Sequence, residues 1–580
     1  MVVLGLNIGH DGVLSIVKDG EHFFSIAEER LNRIKVYRGF PFQALRYVID
    51  NKIISPKEVV KVAIPSAVFL KSWAFGYAFC LTENKKYYNY LHENKPDDFF
   101  MDEKEYLHVK SSEDLKKYVD RKLKKLLLDV GIDAPIVYID HHLAHAAASY
   151  YASGFPQALA ITMDGTGDLL SATVNICNDG HIENISKTEG KHSAGSLYSE
   201  VTRMCGFKMG KHEGKITGLA AHGDYSKHEQ CFDNLLKVKD GRLFHVDPLW
   251  RKAGRTILNA VGIKKPDRSK LLMTRCGKLS DKDLAASIQR LLEKKIVQIV
   301  SYWIDKTGIQ DVTLGGGLFA NVKFNQHISE IPSVKSLFVF PDMSDGGNAY
   351  GAAAYTYYQE KKLVPSRTKN VYFGPEFDNK YIESMLVKNK EKVEYFLSDD
   401  ICKDTAELIA SNKIIGWFQG RMEYGPRALG NRSIIASPVD ATINKWLNDR
   451  MNRTEFMPFA PSCLYEYADE LFDIPKSNMK YPAQFMTITF GMKKEWADKA
   501  PAVSHVDQTA RPQLVTKEAN PKYYQLLTEY HHKTGLPLFI NTSFNVHEEP
   551  IVCNPEEGLN ALLTGVIDYF CVGDYICKLK

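Results

Sequence analysis

The chain has 580 residues, which exceeds one ordinary hydrophobic core and calls for two or three domains. Apolar residues make up 44% and aromatics 11%, the composition of a soluble globular protein. A formal net charge of +4, with 74 basic residues interspersed among 70 acidic ones, gives no support to a nucleic-acid polyelectrolyte interface and leaves room for a local anion pocket.

At the start of the chain, MVVLGLN lacks the basic n-region of a signal peptide. Residues 2–17 then read as a hairpin: an apolar strand, a polar turn of Gly9, His10, Asp11 and Gly12, and a second strand. The most apolar stretch, residues 68–81, is interrupted by Lys71 and is too short to span a bilayer, so a cytoplasmic location without membrane attachment is expected. The ten cysteines, scattered from Cys80 to Cys577, include no C-x-x-C pair. Neither a zinc ribbon nor a disulfide framework is indicated, and buried reduced thiols are expected. The segment 67–108 is dense in aromatics, including Trp73, Phe75 and Tyr77; an acceptor surface, a homodimer surface and a satellite core beneath an insertion are the readings it allows.

Apolar residues at helical spacing predict a helix over 112–130 with Ser111 or Ser112 as N-cap. Strand PIVYI and an Ala-rich helix from Asp140 follow. Residues 158–174 repeat the hairpin pattern around Asp164, Gly165, Thr166, Gly167 and Asp168, at a spacing that suggests duplicated subdomains sharing a cleft; two unrelated hairpins would read alike. Near 365–376, proline-punctuated linker chemistry divides the chain. Beyond it a second α/β unit is expected, with a helix over 403–411, strands KIIGWF, QFMTITF and PLFIN, and a C-terminal DYFCVGDYIC.

His141 and His145 lie four apart, on one helical face, and Asp164 ends the next strand. Two imidazoles and a carboxylate make an open transition-metal site, with Asp345 in the later Asp-Gly-Gly turn as fourth ligand. A glutamate missing from the H-E-x-x-H pattern argues against a metallopeptidase. Gly315, Gly316 and Gly317 stand between a strand and a helix, where backbone can approach an anionic ligand. Glu213 to Ala220 mixes charge with small residues; an ordinary helix start would look the same. Three arginines among glycines in residues 420–433 suit phosphate recognition, and Arg511 and the polar run 541–545 add donors. The two hairpin turns with the Gly-rich turns have the pattern of nucleotide-binding folds such as actin, the sugar kinases and the heat-shock chaperone ATPases.

The motifs DHHLAHA, MDGTGD, EGKITGLA, LGGGLFAN, GRMEYGPRALGNRS, PFAPS, ARPQLV and NTSFNVHEEPIV together closely resemble the carbamoyltransferase family, which includes nodulation protein U and the cephem and tobramycin O-carbamoyltransferases. The resemblance runs nearly full length, in the family's order. It implies an α/β chain with a duplicated actin-like domain over 1–365 and an α+β YrdC-like domain over 366–580. By that resemblance, carbamoyl phosphate and ATP with Mg give carbamoyl adenylate and pyrophosphate, and the carbamoyl group passes to a hydroxyl of a small molecule, a sugar or other natural product such as an antibiotic precursor.

Carried over residue by residue, His141, His145, Asp164 and Asp345 would hold a divalent metal, commonly Fe(II), with Zn or Mn as alternatives. His10 would be the general base, suited to neutral pH as an unperturbed imidazole. Gly165, Thr166, Gly167, Lys215, Gly316, Gly317 and Asn321 fall in nucleotide-binding stretches, and Arg421, Arg427, Arg432, Arg511, Arg453, Asn541, Ser543 and Asn545 fall where the YrdC-like domain handles carbamoyl phosphate and ATP. Met457 and Asn452 depart from the pattern, standing where relatives often carry basic residues. An actin-like kinase would leave the His pair and the Arg-rich half unused; a non-enzymatic nucleotide-dependent module would not need His10. Pyrophosphate release, ADP formation or no turnover separates the three.

Overall fold

Continuous runs of mostly apolar and β-branched residues, buried on both faces, build β1 (Val2–Asn7) and β2 (Val13–Lys18), and the turn between them is fixed by Asn7, whose amide donates to the carbonyls of His10 (2.6 Å) and Asp11 (2.8 Å). The computed structural model describes residues 1–66, 111–246, 272, 276–277, 279–362, 365–451, 459–546 and 548–580. The aromatic-rich segment 67–108, Cys80, and the strip with Asn452, Arg453 and Met457 lie outside the described residues.

With β3 (Glu21–Ala27), β4 (Val59–Ile64) and β5 (Ile136–Tyr138), the first hairpin forms a sheet of order β3-β2-β1-β4-β5. In it β1 runs antiparallel to β2 and parallel to β4, and β4 parallel to β5. The second hairpin, β6 (Gln157–Gly167) and β7 (Leu170–Asn178), continues into β8 (His181–Glu189). A separate ribbon of β9 (Leu236–Lys239) and β10 (Arg242–His245) precedes β11 (Asp311–Gly315) and β12 (Ser336–Val339). The order β12-β11-β6-β7-β8 repeats the first sheet strand for strand, with the same parallel and antiparallel senses. This is the duplicated actin-like α/β architecture. The second hairpin turns at Asp168 and Leu169, both at positive φ, later than the expected 164–168, because β6 continues to Gly167 through a bulge.

In each half the last strand feeds a helix: His141–Ser153 after β5, and Gly347–Lys361 after β12. Their alanine faces pack on each other between the sheets, so both helix N-termini arrive at the same end of the cleft. Ser111 caps the expected helix Ser112–Asp129 through a capping box with Asp114.

The C-terminal part is built on a mixed sheet of order β13-β23-β22-β14-β15-β21-β16-β20. Its strands are β13 (Val393–Leu397), β14 (Ile415–Phe418), β15 (Arg432–Ala436), β16 (Ala460–Leu464), β20 (Gln513–Val515), β21 (Leu538–Ser543), β22 (Tyr569–Val572) and β23 (Tyr575–Leu579). A small second sheet holds β17 (Phe472–Asp473), β18 (Phe490–Met492) and β19 (Thr509–Ala510). The strand expected over QFMTITF reduces to β18. Met486 takes a positive φ of 56°, and the backbone there serves the actin-like part instead: Asn325 donates to the Thr487 carbonyl (2.7 Å).

The two parts are tied by backbone carbonyls accepting from long side chains. Arg33 donates to Pro550 O and Ile551 O, Arg30 to Gly425 O, and Tyr481 to Ala152 O. One expectation fails outright: Cys231 and Cys276 are joined as a disulfide. The pair is 45 residues apart in sequence and meets only because both segments pack into the core around helix Asp281–Thr307. The other cysteines among the described residues are free and buried.

Candidate active site

Helix His141–Ser153 begins under tight control. Asp140 caps it by accepting the Leu143 N–H (2.9 Å), and Asp168 from the facing hairpin accepts the His141 N–H (2.8 Å). The imidazoles of His141 and His145 therefore project toward the end of β6 and the loop after β12. His141 Nε2 lies 3.2 Å from Asp164 Oδ2 and 3.4 Å from Asp345 Oδ1, and His145 Nε2 lies 3.5 Å from Asp345 Oδ1. The two Nε2 atoms are 3.2 Å apart, and all four ligand atoms fall within 4.8 Å of one another. Ligands about 2.1 Å from a shared cation stand roughly 3.0–3.4 Å apart at octahedral or tetrahedral angles, so the group fits a transition metal.

Gly167 makes this packing sterically accessible: a Cβ there would overlap the His141 ring. Gly316, at φ 102°, passes so close to the Met163 backbone that only glycine fits, and its N–H donates to Met343 O (2.7 Å). Gly317 N–H points to Asp164 Oδ1 (3.3 Å).

A cavity of about 690 Å³ opens beside the cluster. It is lined by His10, Gly165, Thr166, Gly317 and Asn321 from the actin-like part and by Arg427, Ser543 and Asn545 from the C-terminal part. His10 departs from the unperturbed imidazole expected. Burial disfavours its charged form, but the Asp11 carboxylate, 3.0 Å from Nδ1, and the more distant Asp345 outweigh burial and push it up to about 9. Asp11 was not singled out from sequence, although the His-Asp dipeptide in the turn was its signal. Burial and the neighbouring Asp11 push Asp342, also on the cavity wall, up to about 8.

A second cavity of about 340 Å³ lies between helices Asp281–Thr307 and Val322–Glu330 on one side and segment 489–511 on the other, and Arg511 lines it. Thr217 lines both cavities. Arg427 and Arg511 make no hydrogen bond or ion pair among the described residues, and each leaves Nε buried without a partner. Burial lowers both guanidinium pKa values, and the charge of Arg427 lowers that of Arg511 further. Two half-buried guanidinium groups with unpartnered Nε atoms and no carboxylate have the chemistry to take an anion.

The structure gives the other candidates different work. Arg432 donates to the carbonyls of Gln419, Asn431, Pro375 and Gly420 and stacks 3.6 Å over Phe418, so it organises the 420–432 loop and lines neither of these two cavities. Arg421 likewise donates to Phe23 O and Phe373 O. Asn541 is buried, its amide donating to Ala428 O and to Ser462 and Gln513 side chains. Lys215 extends over the Phe207 ring and lines neither cavity, whereas its neighbours Glu213, Gly214 and Thr217 do. Gly and Arg density in a loop marked the right segment but not which arginine faces a cavity.

The carbamoyltransferase N-terminal family profile matches residues 2–354, and the carbamoyltransferase C-terminal profile matches residues 406–578. The chain belongs to the carbamoyltransferase family. Nodulation protein NolNO of Sinorhizobium fredii is 31% identical over 98% of this chain and 79% of its own length. The uncharacterized protein MJ1051 of Methanocaldococcus jannaschii is 30% identical over all of both chains. Among solved structures, full-length HypF in its phosphate- and nucleotide-bound form covers 63% of this chain and 56% of its own, at 13% identity and a TM-score of 0.36. As a member of the family the protein is a transferase enzyme. No helix among the described residues is long and apolar enough to cross a membrane.

Proposed function

We propose that the protein is an ATP-dependent O-carbamoyltransferase with two chambers. In the first, carbamoyl phosphate is hydrolysed to carbamate and phosphate, and carbamate displaces pyrophosphate from ATP to give carbamoyl adenylate. In the second, an acceptor hydroxyl attacks the carbamoyl carbon, AMP leaves, and the hydroxyl proton passes to a base. The observation that carries this reading is the meeting, around one cavity, of the His-Asp cluster and His10 with Arg427, Ser543 and Asn545.

Arg511, on the wall of the smaller cavity, and Arg427, on the wall of the large one, bind phosphate groups where the two chambers adjoin; their uncompensated charge supports this role. Thr217, on the wall of both cavities, marks where the adenylate passes. Asp11 holds His10 by Nδ1, leaving Nε2 to accept the proton from the acceptor hydroxyl. His141, His145, Asp164 and Asp345 would hold a divalent metal, Fe(II) by the family resemblance, which supplies Lewis-acid polarisation when bound.

Incubation with carbamoyl phosphate and ATP tests the reading. Pyrophosphate is the expected product; ADP in its place would indicate a kinase, and no nucleotide turnover a binding module.

A further inference from the structure

Arg38 stands beside His10 on a support built by the backbone. Gly12 N–H donates to Tyr37 O (3.0 Å), Gly39 N–H donates to Gly9 O (3.1 Å), and His10 and Arg38 form an isolated antiparallel bridge. Val36, which leads into this run, has a φ of 57°. A β-branched residue in the left-handed region costs about 1–3 kcal/mol and persists only where its surroundings enforce it. Glu29 supplies the enforcement by accepting the Val36 N–H at 2.7 Å.

The side chain so delivered is solvent-exposed and stands next to the large cavity, which Lys35, Val36 and Tyr37 line. A Cβ built on cavity-lining Gly210 would lie 3.3 Å from Arg38 Nη2 and 3.9 Å from His10 Nε2, so both nitrogens flank one point. Neighbouring Arg30 and Arg33 are tied to carbonyls and carboxylates. Arg38 has no hydrogen bond or ion pair among the described residues. A guanidinium donates and never accepts, and its planar fork matches oxyanions.

We propose that Arg38 is an acceptor-recognition residue, and that the acceptor is a hydroxyl compound carrying an oxyanion, carboxylate or phosphate, within a few bonds of the hydroxyl to be carbamoylated. This rests on the carbamoyltransferase reading above. Arg38 pairs with the anion while His10, alongside, faces the hydroxyl.

The test uses the whole protein with ATP, carbamoyl phosphate and three matched acceptors: glucose, glucuronate and glucose 6-phosphate. Carbamoylated product is measured by mass spectrometry. The expected result is a preference of about tenfold or more for an anionic acceptor over glucose, falling toward parity in Arg38→Gln and partly restored in Arg38→Lys. Glucose as the best acceptor overturns the proposal. So does an Arg38→Gln variant that slows all three alike, which would put the guanidinium on the adenylate phosphate. If none of the three turns over, inorganic sulfate decides. It should protect His10 from diethyl pyrocarbonate in the wild type and not in Arg38→Gln, with labelling read by peptide mass spectrometry. Equal labelling of wild-type His10 with and without sulfate sinks the proposal. Pyrophosphate release by the wild type reports separately on the functional reading; its absence alongside sulfate protection would remove the adenylate and leave the anion subsite standing.

Discussion

Replacing Arg511 with methionine should make the free protein more stable while abolishing its first half-reaction. Burial holds Arg427 at about 10 instead of the ordinary 12.5, and Arg511 is lowered further by burial and by Arg427 itself. A difference of that size amounts to roughly 3 kcal/mol against the charged form, and partial solvent access at each guanidinium reduces what stability gains on removal to about 1–2 kcal/mol. Methionine keeps most of the side-chain volume and carries no charge, so the penalty of two facing cations disappears without opening a large cavity. At about 2–4 °C per kcal/mol for a unit of this size, the melting temperature should rise by several degrees. The assay is differential scanning fluorimetry with and without carbamoyl phosphate, beside pyrophosphate release. The wild type should gain stability on adding the ligand and the variant should not. A variant that melts below the wild type, yet still responds to carbamoyl phosphate, would refute the anion-site reasoning.

Three further outcomes are expected. The transfer step should rise with pH as His10 loses its proton, with an inflection near 9 and a plateau above it, and Asp11→Asn should move that inflection down toward the ordinary imidazole value; an unmoved inflection would detach Asp11 from the base. His141→Ala should lower bound metal measured by plasma mass spectrometry and erase the destabilisation a chelator causes in the wild type, an effect of about 3 kcal/mol when metal stands at a hundred times its dissociation constant. His22 is stacked between Tyr350 and Phe373, and burial with the nearby Arg421 charge holds it at about 3. Because the unfolded chain takes up that proton near 6.5 and the folded one does not, stability should fall as pH drops from about 6.5 toward 3, by at most ~1.4 kcal/mol per pH unit; His22→Gln should flatten this slope in urea unfolding.

The sequence made most of the actin-like half legible because its signals are local. Apolar runs flanking the Gly/Asp turns around His10 and Asp164, and the i, i+4 spacing of His141 and His145 after Asp140, need only a few neighbouring residues to be read. The C-terminal loop was legible as a region and not as individual roles. Whether Arg432 faces ligand or carbonyls depends on where Pro375, Gln419 and Phe418 fold around it, and no spacing encodes that. The raised pKa of His10 needed the Asp11 rotamer, and the Cys231–Cys276 bond needed tertiary packing across 45 residues. The strand expected over QFMTITF failed because the Thr487 carbonyl and the Thr489 hydroxyl bond to helix Val322–Glu330 rather than to a neighbouring strand.

The duplication also accounts for the composition of the cluster. Equivalent positions in the two halves have diverged: the helix after β5 contributes two imidazoles, whereas the loop leading to the helix after β12 contributes the Asp345 carboxylate. The two hairpins have diverged as well, the first presenting His10 and Asp11 and the second Asp164. Two carboxylates and two neutral imidazoles carry a charge of about −2, which a low-dielectric site tolerates poorly unless it is compensated. A proton on His141 offsets part of that charge. Burial works against it, but Asp345, Asp164 and Asp168 raise His141 to about 9. A divalent ion would leave the cluster neutral and release that proton, whereas a trivalent ion would leave excess positive charge beside Arg427 on the same cavity wall. Charge balance therefore favours a divalent occupant, and metal affinity should strengthen as pH rises toward 9, whereas a site whose ligands are already free of protons at neutral pH would show no such rise.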